Sequence, residues 1–163
     1  MGLVSEAIAS ELGYQTKEEG ATKVRLTLET VINHWPKDTH SGFLVHFTNR
    51  NWAALSEFST IDTAELVLGA LFAGLHIDID KIDDTDNVLN ISGNYFGGDI
   101  ATTANALLNS VKWSDAIKAA DNPTIYPVVN SETGEFSGNI RPYNEYYLVA
   151  YLANLTSSVG SKV

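Results

Sequence analysis

Two carboxylates three positions apart, Asp62 and Glu65, are the first place where this sequence could do chemistry. On a helix they face the same way. Paired carboxyl groups can divide the work at a glycosidic bond, one protonating the leaving oxygen while the other stays ionised. The same placement also complements the helix dipole, because acids in the first turns sit where the helix end is positive. Glu65 is the harder of the two to read as structural, since its helix otherwise admits almost no charge. Glu145 stands among Tyr143, Tyr146 and Tyr147. That mixture suits sugars, whose apolar ring faces pack on aromatics while their hydroxyls form hydrogen bonds; tyrosines on a buried helix are more often a core pattern. Glu57 reads as a solvated loop acid or as a site residue, and His46 and Trp52 as ligand contacts or as packing residues.

Other chemistries are excluded by what is missing. The chain has no cysteine, which removes disulfides, thiolate metal sites and cysteine nucleophiles together. Its four histidines have no metal-ligand spacing, no glycine-rich phosphate loop precedes a helix, and there is no nucleophile elbow. No metal and no cofactor are expected. The acidic run Asp78 to Asp86 suggests calcium, yet Asp83 stands where an EF-hand loop needs its glycine and no glutamate occupies the twelfth position; a solvated loop is the favoured reading. A formal charge of −10 repels phosphate backbones and anionic lipid, so neither nucleic acid nor membrane is an expected partner. The longest nearly apolar run, Leu66 to Ile77, reaches about half of the ~20 residues of a membrane span. No basic stretch followed by an apolar one marks a signal peptide.

The elements that must hold these acids follow from periodicity and caps. Leu3, Val4, Ala7, Ile8 and Leu12 predict a first helix that stops at Gly13. Thr16 with Glu19 makes a capping box for a second, from Lys17 to about His34, before Pro36. Gly42 to Phe47 alternates and leads into Thr48 to Asn51, which predicts a short strand and turn. Ser59 and Asp62 form another capping box, opening a third helix apolar almost all round and therefore expected to be enclosed. Residues 77–98 read as an Asp/Asn/Gly-rich loop insertion. A fourth helix is predicted from Asp99 to about Trp113. A second hairpin follows from Thr124 to Phe136, turning at Ser131 to Gly134 between Ile125-Tyr126 and Glu135-Phe136, and a fifth helix opens after Pro142.

A helix with one polar side, a hairpin, then a helix apolar nearly all round occurs twice in that order, which is a pattern of concentric layers. It predicts an all-α single domain over residues 1–163, with Asp62, Glu65, Glu145 and both hairpins at one rim.

The segments Gly42-Phe43-Leu44-Val45-His46-Phe47, Ser56-Glu57-Phe58-Ser59-Thr60-Ile61-Asp62-Thr63-Ala64-Glu65-Leu66 and Gly69 to Gly74 resemble the bacterial glucoamylase-like glycoside hydrolase family, which includes the endo-β-1,2-glucanases. Lys112-Trp113, Glu132-Thr133-Gly134 with Phe136, and Tyr143-Asn144-Glu145 with Tyr151-Leu152-Ala153 follow in the same order. The resemblance implies an (α/α)6 toroid, here partial, with carbohydrate bound at one rim, hydrolysis of β-linked glucan with inversion, and a periplasmic or secreted setting. It places the family's acidic positions on Asp62, Glu65 and Glu145, with Glu145 as general acid or its direct support and the other two holding sugar hydroxyls. Substrate contacts would come from Glu57, His46, Trp52, Tyr143 and Tyr146. Two departures stand out: the 77–98 loop is longer than the family usually has, and the Ser-Pro-Thr-His stretch expected after the fifth helix is absent. The expectation is therefore a catalytically incomplete N-terminal portion, completed by a missing C-terminal half or by self-association. The rival is a non-catalytic carbohydrate-binding or interaction module that forms a homo-oligomer.

Overall fold

A computed structural model of the chain describes residues 2–77, 99–118, 124–141 and 144–160. Helix α1 (Gly2–Glu11) ends as its glycine predicts. Gly13 takes φ +75°, and the Gly13 and Tyr14 amides donate to the Ser10 and Ala9 carbonyls at 3.2 and 2.9 Å, satisfying groups the helix end would leave open. Helix α2 (Lys17–His34) starts on the predicted capping box. The Glu19 amide donates to Thr16 Oγ1 at 3.2 Å while Glu19 Oε2 accepts from the Thr16 amide at 2.8 Å.

Tertiary contacts group the chain into two units, residues 1–33 with 66–108 and residues 34–65 with 109–163. In the first, Leu3, Ala7, Val24 and Leu28 of the first two helices form a buried core with Ala70, Ala73 and Ile77 of α3 (Thr60–Ile77) and with Ile100 and Ala104 of α4 (Asp99–Ser110). Small residues let α3 and α4 approach closely. A Cβ at Gly74 would lie 2.9 Å from the Ala101 Cα. Arg25 grips Asp99, the first residue of α4, through two hydrogen bonds, Nη2 to Oδ1 at 3.0 Å and Nε to Oδ2 at 2.5 Å.

The second unit overturns the all-α expectation: the fold is mixed, with five helices and two antiparallel sheets among the described residues. Strands β1 (Leu44–Val45), β2 (Phe58–Ser59), β5 (Val128–Val129) and β6 (Phe136–Ser137) form one sheet in the order β1-β2-β5-β6, and β3 (Ile117–Lys118) pairs with β4 (Thr124–Ile125) in another. The two hairpins expected as local ornaments between helices join edge to edge, with Phe58 opposite Val129 and Ser59 opposite Val128. Their unpaired backbone groups are thereby satisfied. Beneath this sheet Phe43 and Trp113, both fully buried, meet edge to face at 5.4 Å. Phe136 touches Phe43 at 6.0 Å, and Val149 and Leu152 of α5 (Tyr147–Gly160) are also buried.

Several boundaries differ from the sequence reading for local reasons. Helix α4 stops at Ser110, because the Lys112 amide donates to the Ser41 carbonyl at 2.8 Å and Trp113–Ala116 winds as a 3₁₀ turn. The second hairpin turns where predicted, with Asn130 Oδ1 accepting the Glu132 and Thr133 amides at 2.8 and 2.9 Å. Its strands, however, are Val128–Val129 and Phe136–Ser137, while Ile125 pairs with Ile117 and bridges Ile140. Helix α3 is not enclosed on all sides: Asp62 and Glu65 are exposed, and Leu66, Leu68, Leu71, Phe72 and Leu75 are half-buried. By length and composition alone it could cross a membrane; half of it is buried in the fold. The 77–98 insertion, with its acidic run, lies outside the described residues apart from Ile77.

Candidate functional site

The β1–β2 hairpin places the first site residues. Pairing runs from Val45 opposite Phe58 to Thr48 opposite Ala54, so residues 45 to 48 on one arm answer 58 to 54 on the other, which has one residue more. That extra residue makes a bulge at Ser56-Glu57, a device that re-aims side chains. It turns Glu57 toward His46: the His46 amide donates to the Glu57 carbonyl at 2.9 Å, and His46 Nδ1 lies 3.3 Å from Glu57 Oε1. The other ring nitrogen, Nε2, lies 3.7 Å from Asp62 Oδ2. One imidazole thus stands between two carboxylates from different elements.

Asp62 is fixed by the way α3 is moored to the sheet. Its amide donates to Ser59 Oγ at 3.2 Å. Thr63 Oγ1 donates to the Ser59 carbonyl at 2.6 Å and accepts the Leu44 amide at 2.9 Å. Thr60 donates its amide to the Pro127 carbonyl at 3.1 Å, and its hydroxyl lies 2.9 Å from the Tyr126 carbonyl oxygen. Thr60 and Thr63 are buried, where an unmade hydrogen bond is expensive, so these contacts hold the first turn of α3 in register with both hairpins.

Glu145 approaches from the last element. Pro142 was expected to open the fifth helix, but α5 begins at Tyr147. Before it, Asn144 Oδ1 accepts the Tyr146 amide at 3.2 Å, and the Tyr147 and Leu148 amides donate to the Asn144 and Glu145 carbonyls at 2.9 and 3.0 Å. This is a tight turn in which an asparagine side chain competes with helix. Glu145 is an exposed residue of that turn and not of a helix. Beside it Tyr146 is half-buried, and burial first, then the negative charges of Glu145, Asp62 and Glu57, push its phenol above the ordinary value of 10.0. The charges of all three carboxylates disfavour the phenolate.

Glu57, His46 and Asp62 are thus brought together, and Tyr146, next to Glu145 in the chain, lies within electrostatic range of both acids. Glu65 is exposed one turn further along α3, and its carboxylate has no hydrogen-bonding or ionic partner among the described residues. Trp52 is exposed and also packs on its neighbours. At φ +61° it sits in the tip of the hairpin, where Asn49 Oδ1 accepts the Asn51 and Ala53 amides. Its ring stacks on His34 at 5.6 Å and leans on Trp35 at 5.9 Å. Tyr143 lies outside the described residues. Sequence reasoning passed over Phe47, whose ring is exposed and stacks on His46 at 3.9 Å; an aromatic beside a candidate histidine in an alternating strand was the available signal.

A cleft of about 390 Å³ lined by Ser114, Ile117, Ala150, Ala153, Asn154 and Ser157 contains none of the acids. Among the described residues no group of three or more His, Asp or Glu side chains is disposed to hold a metal ion. No family model, no curated protein and no solved structure matches this chain.

Proposed function

We propose that this chain is a glycoside-hydrolase-like domain whose cluster of Glu57, Asp62, Glu145, His46 and Tyr146 binds β-linked glucan, with the β-1,2 linkage favoured by the sequence resemblance. The observation that carries the reading is the His46 ring standing between two carboxylates, 3.3 Å from Glu57 and 3.7 Å from Asp62, while the charges of both and of Glu145 disfavour ionisation of Tyr146. Sugars are neutral and rich in hydroxyl donors, so ionised carboxylates backed by an aromatic are the groups that recognise them. In this reading Glu145 is the general acid or its support, Asp62 and Glu57 accept sugar hydroxyls, and His46 keeps that pair in place. Glu65 belongs to the proposal only through the resemblance. Cleavage with inversion needs a second carboxyl ~6.5–9.5 Å from the first, across the sugar.

A non-catalytic carbohydrate-binding module is the second reading. It is favoured by the exposure of Asp62 and Glu145, because solvated carboxylates accept hydroxyls but lack the dry pocket in which acid catalysis is arranged. Incubation with β-1,2-glucan, followed by assay for new reducing ends, separates the two. Hydrolysis by the wild type that Glu145→Gln abolishes supports the enzyme. Binding measured by calorimetry without new ends supports the module, and equal cleavage by wild type and variant removes Glu145 from the mechanism. Absence of binding to β-1,2-glucan and, in the same assay, to β-1,3- and β-1,4-glucans refutes both.

A further inference from the structure

Phe47 and Leu55 face each other across the hairpin beyond the bulge, joined by the Leu55 amide donating to the Phe47 carbonyl at 2.9 Å. Large apolar side chains normally leave the surface when they can, yet these are 57 % and 64 % exposed. The backbone beneath them is well fixed. The Phe47 amide donates to Ser56 Oγ at 2.9 Å, and the tip beyond is closed by Asn49 and anchored by the Trp52 stack. One face of the Phe47 ring lies on His46, and more than half of the residue is accessible. Through His46 this ledge adjoins the carboxylates of Glu57 and Asp62.

We infer that Phe47 and Leu55 form a stacking ledge for one sugar unit of a neutral oligosaccharide, adjacent to the acid cluster; the inference rests on the carbohydrate reading of that cluster. A pyranose ring has an apolar C–H face and a rim of hydroxyls, so a unit lying on the Phe47 ring turns its rim toward Glu57 and Asp62. A purely apolar ligand would leave those carboxylates unused, and an anionic polysaccharide would be repelled by them and by the net charge of −10. A second copy of the chain is a poor occupant, because two side chains fall far short of the ~800 Å² per partner that a stable interface buries. The ledge lengthens the site along the hairpin, so it governs chain length more than chemistry.

The test is calorimetric binding of a β-1,2-linked gluco-oligosaccharide and of the corresponding disaccharide to wild type, Phe47→Ala, Phe47→Trp and Leu55→Asn. Loss of one aromatic stacking partner weakens binding of the longer ligand about tenfold. The expected result is that loss for Phe47→Ala, a smaller loss for Leu55→Asn, affinity kept by Phe47→Trp, and little change for the disaccharide. Since both side chains are exposed, the variants fold, and circular dichroism verifies it. Equal binding by wild type, Phe47→Ala and Leu55→Asn overturns the ledge while leaving the acid cluster standing. No binding by wild type overturns the carbohydrate reading itself. A variant that loses self-association in sedimentation while keeping its sugar affinity assigns the ledge to a second copy instead, and overturns the inference.

Discussion

Replacing Gly42 with alanine tests the packing that holds the first site strand. Gly42 has φ +82°, and a Cβ there would lie 2.3 Å from the Ser110 carbonyl oxygen and 3.1 Å from the Val111 Cα. The obstacle is backbone, which cannot swing aside as a side chain can. The left-handed conformation costs alanine about 1–2 kcal/mol, and crowding a packed interior adds about 1–3 kcal/mol, so G42A loses roughly 2–5 kcal/mol. For a chain of this size that lowers the melting temperature by on the order of 10 °C. Gly13 is the internal control. It has φ +75° with nothing within 4 Å of its Cβ position, so Gly13→Ala carries the conformational cost alone. Urea unfolding followed by circular dichroism measures both. Because the Gly42 amide also closes the turn onto the Asp38 carbonyl at 2.8 Å, just ahead of β1, G42A is expected to weaken glucan binding in parallel. If G42A is no less stable than Gly13→Ala, the close approach between this turn and the end of α4 is wrong, and with it the account of why α4 stops where it does.

Thr60→Val keeps the shape of the side chain but removes the hydroxyl that reaches the Tyr126 and Pro127 carbonyls; a loss of about 1–3 kcal/mol is expected in the same assay, and the His46 ring resonances in an NMR spectrum shift as α3 loosens. Asp38 titrates below its ordinary value of 3.8: burial alone would raise it, but hydrogen bonds from the Ser41 hydroxyl and from the Ser41 and His40 amides, with the charge of His40, outweigh burial. A lowered carboxyl stabilises the fold above its ordinary value, and that contribution is lost as the pH falls through the folded value. Asp38→Asn should therefore shrink the acid limb of a stability–pH curve, leaving the parts due to Glu6, lowered chiefly by Gln15, and Glu19, lowered chiefly by Thr16. Tyr146 runs the other way. Its raised phenol favours the fold while neutral, so stability falls as the pH climbs past 10.0 through the folded value. Glu145→Gln removes one repelling charge and should move the Tyr146 transition in an NMR titration to lower pH, whereas an unmoved transition would place Glu145 elsewhere.

Local signals were legible in the sequence. Thr16 with Glu19 fixed the start of α2, and Gly13 the stop of α1, because each is a contest settled within a few residues. What could not be read was pairing at a distance: nothing in Phe58-Ser59 or Val128-Val129 names the other as its neighbour, so two hairpins were seen where one sheet exists. The C-terminal end of α4 and the start of α5 differ from the sequence reading for a related reason. The Ser41 carbonyl and the Asn144 side chain claim backbone groups that periodicity would assign to helix. At the site, residue type and resemblance led to Glu57, Asp62, Glu145, His46 and Tyr146, of which the fold sets His46 against Glu57 and Asp62. Trp52 keeps an exposed surface and also packs on His34 and Trp35, a contact set by a left-handed backbone that composition does not reveal.

The bond from Thr60 to the 126–127 peptide has a temporal consequence. It links positions more than sixty residues apart, as does the β2–β5 ladder, and closing so long a loop is entropically slow compared with winding a helix. The acid cluster therefore cannot exist on a growing chain until about residue 146 has emerged, whereas α1 and α2 can wind early. Substitutions at Thr60, Phe58 or Val129 should accordingly slow refolding, while changes at Phe47 or Leu55 leave its rate untouched.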